Sequence, residues 1–257
     1  MAESLAWRLS VFQSNVRTRL FYLGRLRAVY VNWWAVFLSK LGRDVVLTLR
    51  NGTQYAVRAG TTDLAVVNEI SIGDPYLGPG HLTIAPDATV VDIGANIGDF
   101  TVQVASRCPR GRIIAVEPVA DHVRALEQHI AMNGLSNVTC RQLAIGGVSG
   151  SVSIRGGGNT ARVQADDNAS VRMITLAQLM TEENVETIDL LKMDCEGAEW
   201  DILPAAEAVL PRIRQISMEF HCERGWTPEG LADWLRARGF TVWHTAGPWN
   251  GLLWARR

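Results

Sequence analysis

Hydrophobic positions change period several times along the chain, and each change marks an element. Over 4–41, Leu5, Leu9, Phe12, Val16, Leu20, Leu23, Tyr30, Trp33, Phe37 and Leu41 recur every three or four residues, the spacing of one helical face. Arg8, Arg17, Arg19, Arg25 and Arg27 fill much of the remainder, and Gly24 marks a point where the pattern divides into two helices. The runs 45–49 and 54–57 flank Asn51-Gly52, a dipeptide suited to a hairpin turn. A short helix is expected from Asp63 to Ile70, and Gly73, Pro75, Gly78, Pro79 and Gly80 mark a loop.

From Thr89 onward, short apolar runs alternate with helical spacing. The runs 89–91, 112–116, 138–143, 188–193 and 213–220 read as buried strands. The segments 100–106, 121–132, 176–180, 200–209 and 231–238 read as helices, with Asp121 expected as an N-cap and Asn133-Gly134 as a stop. Ser151 to Ile154 predicts a small β insertion, Thr160 to Ala169 is a polar segment, and 240–243 with 251–254 predict a closing antiparallel pair. Strand–helix alternation of this kind predicts an α/β fold: a mostly parallel sheet with helices on both faces.

Composition narrows the classes of function. The 257 residues are 47% hydrophobic and carry a net charge of −1. That charge is uneven. Residues 1–44 hold seven Lys/Arg against two Asp/Glu, and 45–257 hold eighteen against twenty-four. An acidic main domain is poorly suited to gripping a nucleic acid. Cys108, Cys140, Cys195 and Cys222 lie far apart without a C-x-x-C, which fits reduced thiols rather than a disulfide framework or zinc site. No apolar run reaches the roughly 20 residues of a membrane span, and the start lacks signal-peptide features. A cytoplasmic location is therefore expected. The basic helix adds two alternatives: packing on the main domain or a second subunit, which most amphipathic helices do, or peripheral contact with an anionic membrane.

The chemistry gathers at strand ends. Asp92-Ile93-Gly94-Ala95-Asn96-Ile97-Gly98 follows a strand and opens a helix. Glycines there let a ligand approach the backbone. The spacing is D-x-G-x-x-x-G rather than the G-x-G-x-x-G of a dinucleotide site, which disfavours an oxidoreductase. The acid suits a cofactor with a cationic end, such as S-adenosylmethionine, better than a phosphate. Glu117-Pro118 ends the next strand, 25 positions after Asp92, where an acid can bind ribose hydroxyls. Gln142-Leu143-Ala144 would border the adenine. Asp194, Glu196, Glu219 and His221 lie at later strand ends; Asp194 or Glu196 could instead cap the following helix.

Together, Asp92 to Thr101, Glu117-Pro118 and the stretch Ile188-Asp-Leu-Leu-Lys-Met-Asp-Cys-Glu-Gly-Ala-Glu199 resemble the FkbM family of S-adenosylmethionine-dependent methyltransferases over roughly 45–245. One departure is Ala177, where the family often has an acid. The resemblance implies a class I methyltransferase fold, seven strands with one antiparallel, in a methyltransferase domain 45–257 that opens with a hairpin-and-lid segment (45–88); the basic N-terminal helical extension (1–44) lies outside the shared pattern. It implies that Gly94, Asn96 and Gly98 shape the methionine pocket beside Asp92, and that Glu117 binds the ribose. Lys192, Asp194 and Glu196 would face the methyl-transfer region. Asp63, Glu69 and Tyr76 in the lid are candidate cofactor contacts.

The expected reaction is O-methylation of a hydroxyl on a small molecule, sugar or natural product, with no nucleic-acid partner. The missing (N/D)-P-P-(Y/F/W) loop after the fourth strand also argues against methylation of bases. The acceptor proton would go to Asp194 or His221, or Asp194 and Glu196 would hold a divalent metal; an obligatory metal is not expected. A cofactor-binding module without turnover, acting in assembly or membrane docking, is the alternative function.

Overall fold

The computed structural model describes residues 21–78, 80–155, 162–165, 171–221, 227–245 and 250–257. The first half of the expected N-terminal helix, 4–20, lies outside them. Helix α1 (21–29) and α2 (Ala35–Lys40) precede the hairpin β1 (Val45–Thr48) and β2 (Gln54–Val57). The helical break falls at 30–34, not at Gly24. Asn32 fixes it there: its Nδ2 donates to Val46 O (2.7 Å) and its Oδ1 accepts from Thr48 N (2.9 Å), splicing the chain onto the hairpin edge. Leu26, Tyr30, Ala35 and Val36 then share a core with Leu47, Leu49, Tyr55 and Val57. Gly52 takes the left-handed conformation that the hairpin turn requires (φ 91°).

Next come α3 (Asp63–Asn68), with a π-helical turn over Glu69–Gly73, then β3 (Thr89–Ile93), α4 (Asp99–Arg107), β4 (Arg112–Val116), α5 (Ala120–Met132) and β5 (Val138–Arg141). The chain continues through β6 (Ala144–Ile145), β7 (Gly150–Arg155), β8 (Arg162–Ala165) and β9 (Val171–Ile174). It then forms α6 (Leu176–Glu182), β10 (Leu190–Met193), α7 (Glu199–Ala205), β11 (Gln215–His221), α8 (Pro228–Arg236), β12 (Thr241–His244) and β13 (Asn250–Arg256).

The main sheet has seven strands in the order β12-β13-β11-β10-β3-β4-β5. β13 runs antiparallel to both neighbours, and β11, β10, β3, β4 and β5 are mutually parallel. From β3 the chain builds outward to β5, then returns to place β10 on the other side of β3. The carboxyl ends of β3 and β10 are therefore the switch point, where an open α/β sheet leaves a crevice. The expected β insertion is a second sheet, β6-β9-β7-β8. It takes Ala144 and Ile145 away from the third strand, which ends at Arg141. Strand β8 shows that part of 160–169 is ordered; the remainder lies outside the described residues.

One expected cap is replaced. Val119, not Asp121, is the N-cap residue of α5 and makes no side-chain cap; Asp121 pairs with Arg124. The Glu117 carboxylate already occupies the helix entrance, accepting the Val119 N–H at 2.9 Å.

Candidate active site

A cavity of about 390 Å³ opens at the switch point, within the range of small-ligand sites. The glycine loop forms its floor. Gly94 takes φ 73°, and a Cβ there would lie 1.9 Å from the Asp194 carbonyl oxygen, so the approach of the β3 and β10 loops requires glycine. Asn96 follows at φ 50°, a conformation asparagine tolerates. Its N–H donates to Glu117 Oε2 at 2.9 Å. With Val119 N–H on Oε1 and His122 Nδ1 3.4 Å away, Glu117 is held at the end of β4 and lines the cavity with Pro118.

Asp92 has a different place from the one expected. It is fully buried and does not line the cavity. Parallel register sets it opposite Lys192; Lys192 Nζ lies 3.0 Å from Asp92 Oδ1 and donates to Gly94 O at 2.8 Å. Thr101 Oγ1 donates to Asp92 Oδ2 at 2.5 Å. Burial alone would lower the lysine's pKa, but Asp92, Asp194 and Asp99 outweigh it and hold the pKa above its ordinary value. The pair is thus an internal brace beneath the loop, with Lys192 also on the cavity wall. Gly98 (φ 85°) likewise lies off the wall, where a Cβ would collide with Leu126 Cδ1. Gln142 is exposed and outside the cavity; Leu143, Ala144 and Ile145 form the apolar wall instead, because β6 turns inward.

The lid residues split. Glu69 and Tyr76 line the cavity, and Tyr76 Oη donates to Asp194 Oδ2 at 2.7 Å. Its backbone oxygen accepts from Ser217 Oγ (2.5 Å) and the neighbouring Pro75 O accepts from Trp254 Nε1 (2.9 Å), so this segment is pinned over the sheet. Asp63 does not reach the cavity; it pairs with Arg58 at 2.7 Å.

Opposite the Glu117 end, acids crowd together. Asp194, Glu196, Glu219 and Glu69 line the wall with Asp99. Burial first, then the charge of Asp194, raises the pKa of Glu69 and brings Glu219 to about 7. Burial also raises Asp99 to about 7, with Lys192 opposing and Asp92 adding. Sequence reasoning placed Glu219 at a strand end without assigning it a role. Asn250 was missed altogether, and its Nδ2 donates to Glu219 Oε1 at 2.6 Å; only the antiparallel register His221↔Asn250 brings it there.

Neither Asp194 nor Glu196 caps α7, whose N-cap residue is Ala198. Glu196 sits at φ 54°, which sends its carboxylate toward His221 (Nε2–Oε2 3.6 Å). His221 lies behind the wall, with Nδ1 3.5 Å from the fully buried Glu199. Burial works against its charge, but the hydrogen bond it donates to Glu199 and the charges of Glu199 and Glu196 raise its pKa to about 9. Asp194, Glu196 and His221 can bring one ligand atom each within 4.8 Å of one another. An imidazolium shared between two carboxylates, however, already supplies the positive charge that a cation would bring.

The strand order and the crevice define a class I methyltransferase fold. A Methyltransferase FkbM domain model matches residues 92–242, and the chain belongs to that family. It is 32% identical over 82% of its length to the AMB antimetabolite synthetase AmbE of Pseudomonas aeruginosa, but spans only 12% of that protein. It is 28% identical over 77% of its length to the 31-O-demethyl-FK506 methyltransferase FkbM of Streptomyces tacrolimicus, covering 90% of it. A solved methyltransferase FkbM from Methylobacillus flagellatus shares the fold, with a TM-score of 0.53 at 15% identity over 75% of this chain and 53% of that one.

Proposed function

We propose that the chain transfers the methyl group of S-adenosylmethionine to a hydroxyl of a small molecule, sugar or natural product. The observation that carries this reading is the polarity of the cavity. One end offers Glu117 beside the apolar wall of Leu143 to Ile145, chemistry for a ribose and an adenine. The other end holds Glu69, Asp194, Glu196 and Glu219, whose mutual repulsion is relieved by a cation. A sulfonium and an ammonium meet that need. The O-methyl activity stated in the name of the Streptomyces relative supports a hydroxyl acceptor.

When bound, the cofactor supplies an activated methyl carbon and a neutral thioether leaving group. The protein's contribution is alignment and desolvation. Tyr76 Oη fixes one oxygen of Asp194 and leaves the other to orient the acceptor hydroxyl. His221, held as imidazolium near neutrality, does not serve as the base; it anchors Glu196. Lys192 serves as an internal counter-ion. Glu219, with a pKa of about 7, takes the acceptor proton, and no step requires a metal.

Calorimetry with S-adenosylhomocysteine tests the cofactor half. The parent chain is expected to bind it, and Glu117→Ala to bind at least tenfold more weakly, since a hydrogen bond to a charged group contributes about 1.5–3 kcal/mol. Release of S-adenosylhomocysteine over a panel of hydroxylated metabolites tests the reaction. Tight binding without release on any acceptor identifies a module without turnover and sinks the enzymatic reading.

A further inference from the structure

α2 has two apolar faces. Ala35, Val36 and Ser39 are buried against the hairpin. Trp34, Phe37, Leu38 and Leu41, at i, i+3, i+4 and i+7, face outward at 54%, 39%, 37% and 77% exposure. Trp33 braces this outer row with edge contacts to Trp34 and Phe37, and Phe21 and Val31 are likewise exposed. Single exposed apolar residues are ordinary, but a contiguous aromatic-rich row is a docking surface.

Charge identifies what docks. Arg27, Lys40 and Arg43 are exposed, and the stretch 21–43 contains no Asp or Glu; Arg25 is directed instead at the Ile72 carbonyl. Arg27 lies over the Trp33 ring and Lys40 over Tyr22, so these cations flank aromatics and, among the described residues, pair with no carboxylate. A second copy of the chain meeting this face through a two-fold axis would set Arg27, Lys40 and Arg43 against their own copies. An anionic lipid surface supplies both requirements at once, a hydrocarbon boundary for Trp34, Phe37, Leu38 and Leu41 and negative headgroups for the cations. We infer that the outer face of α1–α2 docks the protein peripherally on an anionic membrane. Among the described residues no helix is long and apolar enough to cross one, so the contact is interfacial.

The experiment is co-sedimentation of the full chain with phosphatidylcholine vesicles containing or lacking phosphatidylglycerol. Binding is expected only to the anionic vesicles and falls as salt rises. Removing two cations in K40Q/R43Q lowers partitioning about 30-fold, at roughly 1 kcal/mol per cation. W34S/F37S/L41S abolishes it. Both sets alter exposed side chains and leave the thermal midpoint and S-adenosylhomocysteine binding unchanged, so a lost docking surface is separable from a lost fold or a failed cofactor assignment. Equal sedimentation of parent and variants, or none at low salt, overturns the inference. So does a lipid-free dimer that W34S/F37S/L41S dissociates, which would assign the face to a second copy.

Discussion

Gly94, Lys192 and His221 show how differently single residues depend on their surroundings. Gly94→Ala would drive a Cβ into the Asp194 carbonyl; the expected result is loss of cofactor binding and a lowered unfolding midpoint, read by calorimetry and thermal denaturation. Lys192→Met keeps the length of the side chain but leaves Asp92 as a buried charge beside Thr101. Breaking such a pair costs about 3–5 kcal/mol, measurable by urea denaturation. His221 gives a pH signature. Its folded pKa is raised to about 9 from an unfolded value near 6.5. The stability it contributes is therefore fully present below about 6.5 and is lost as pH rises through 9. The stability difference between the parent and His221→Gln should shrink across that window; a constant difference would show that the imidazolium is not stabilised by Glu199 and Glu196. Glu219 shifts in the same direction, but in a carboxylate a raised pKa favours the neutral form, so its burial also lowers stability as pH rises through about 7. Its role as base predicts that kcat/KM rises with an inflection near 7 and that Glu219→Gln loses 10²–10⁴-fold in turnover.

At the scale of elements, the hairpin controls the glycine loop through α5. His129 is fully buried. Its Nδ1 donates to Ile97 O at 2.7 Å, inside the loop, which leaves Nε2 to accept the Ala56 N–H at 2.9 Å on β2. Tyr55 Oη donates to Asp99 O at 2.9 Å, at the start of α4, and Asn133 clasps Gln54 through both backbone groups at 2.8 Å. The loop is therefore tied from below by Lys192 and from the side by β2. His129→Ala leaves buried backbone groups unpaired, at about 1–3 kcal/mol each. The expected outcome is a destabilised chain that also binds S-adenosylhomocysteine more weakly, although His129 does not line the cavity. The strands themselves were legible from apolar runs, and the Asn51-Gly52 turn from its residues, because these are local preferences. The break at 30–34 was not, since a side chain of α1–α2 pairing with β1 sets it.

For the molecule as a whole, charge is divided by place: a cationic helical pair at one end, an acid-lined crevice at the switch point. The two are separable by experiment. Changes to Trp34, Phe37 or Lys40 should move membrane partitioning and leave the cofactor constant, and changes to Glu117 should do the reverse.

What the sequence determined by itself was the order of elements, the methyltransferase class and the glycine loop at the end of β3, because glycine spacing, apolar period and strand-end acids are written into consecutive residues. What the tertiary structure alone decided was which acids face the cavity. Asp92 turned inward because register sets it against Lys192, Gln142 turned outward because β6 joins another sheet, and Asn250 reached Glu219 across an antiparallel pair. Each of these depends on residues far apart in the chain, where pairing and packing, not local preference, fix where a side chain points.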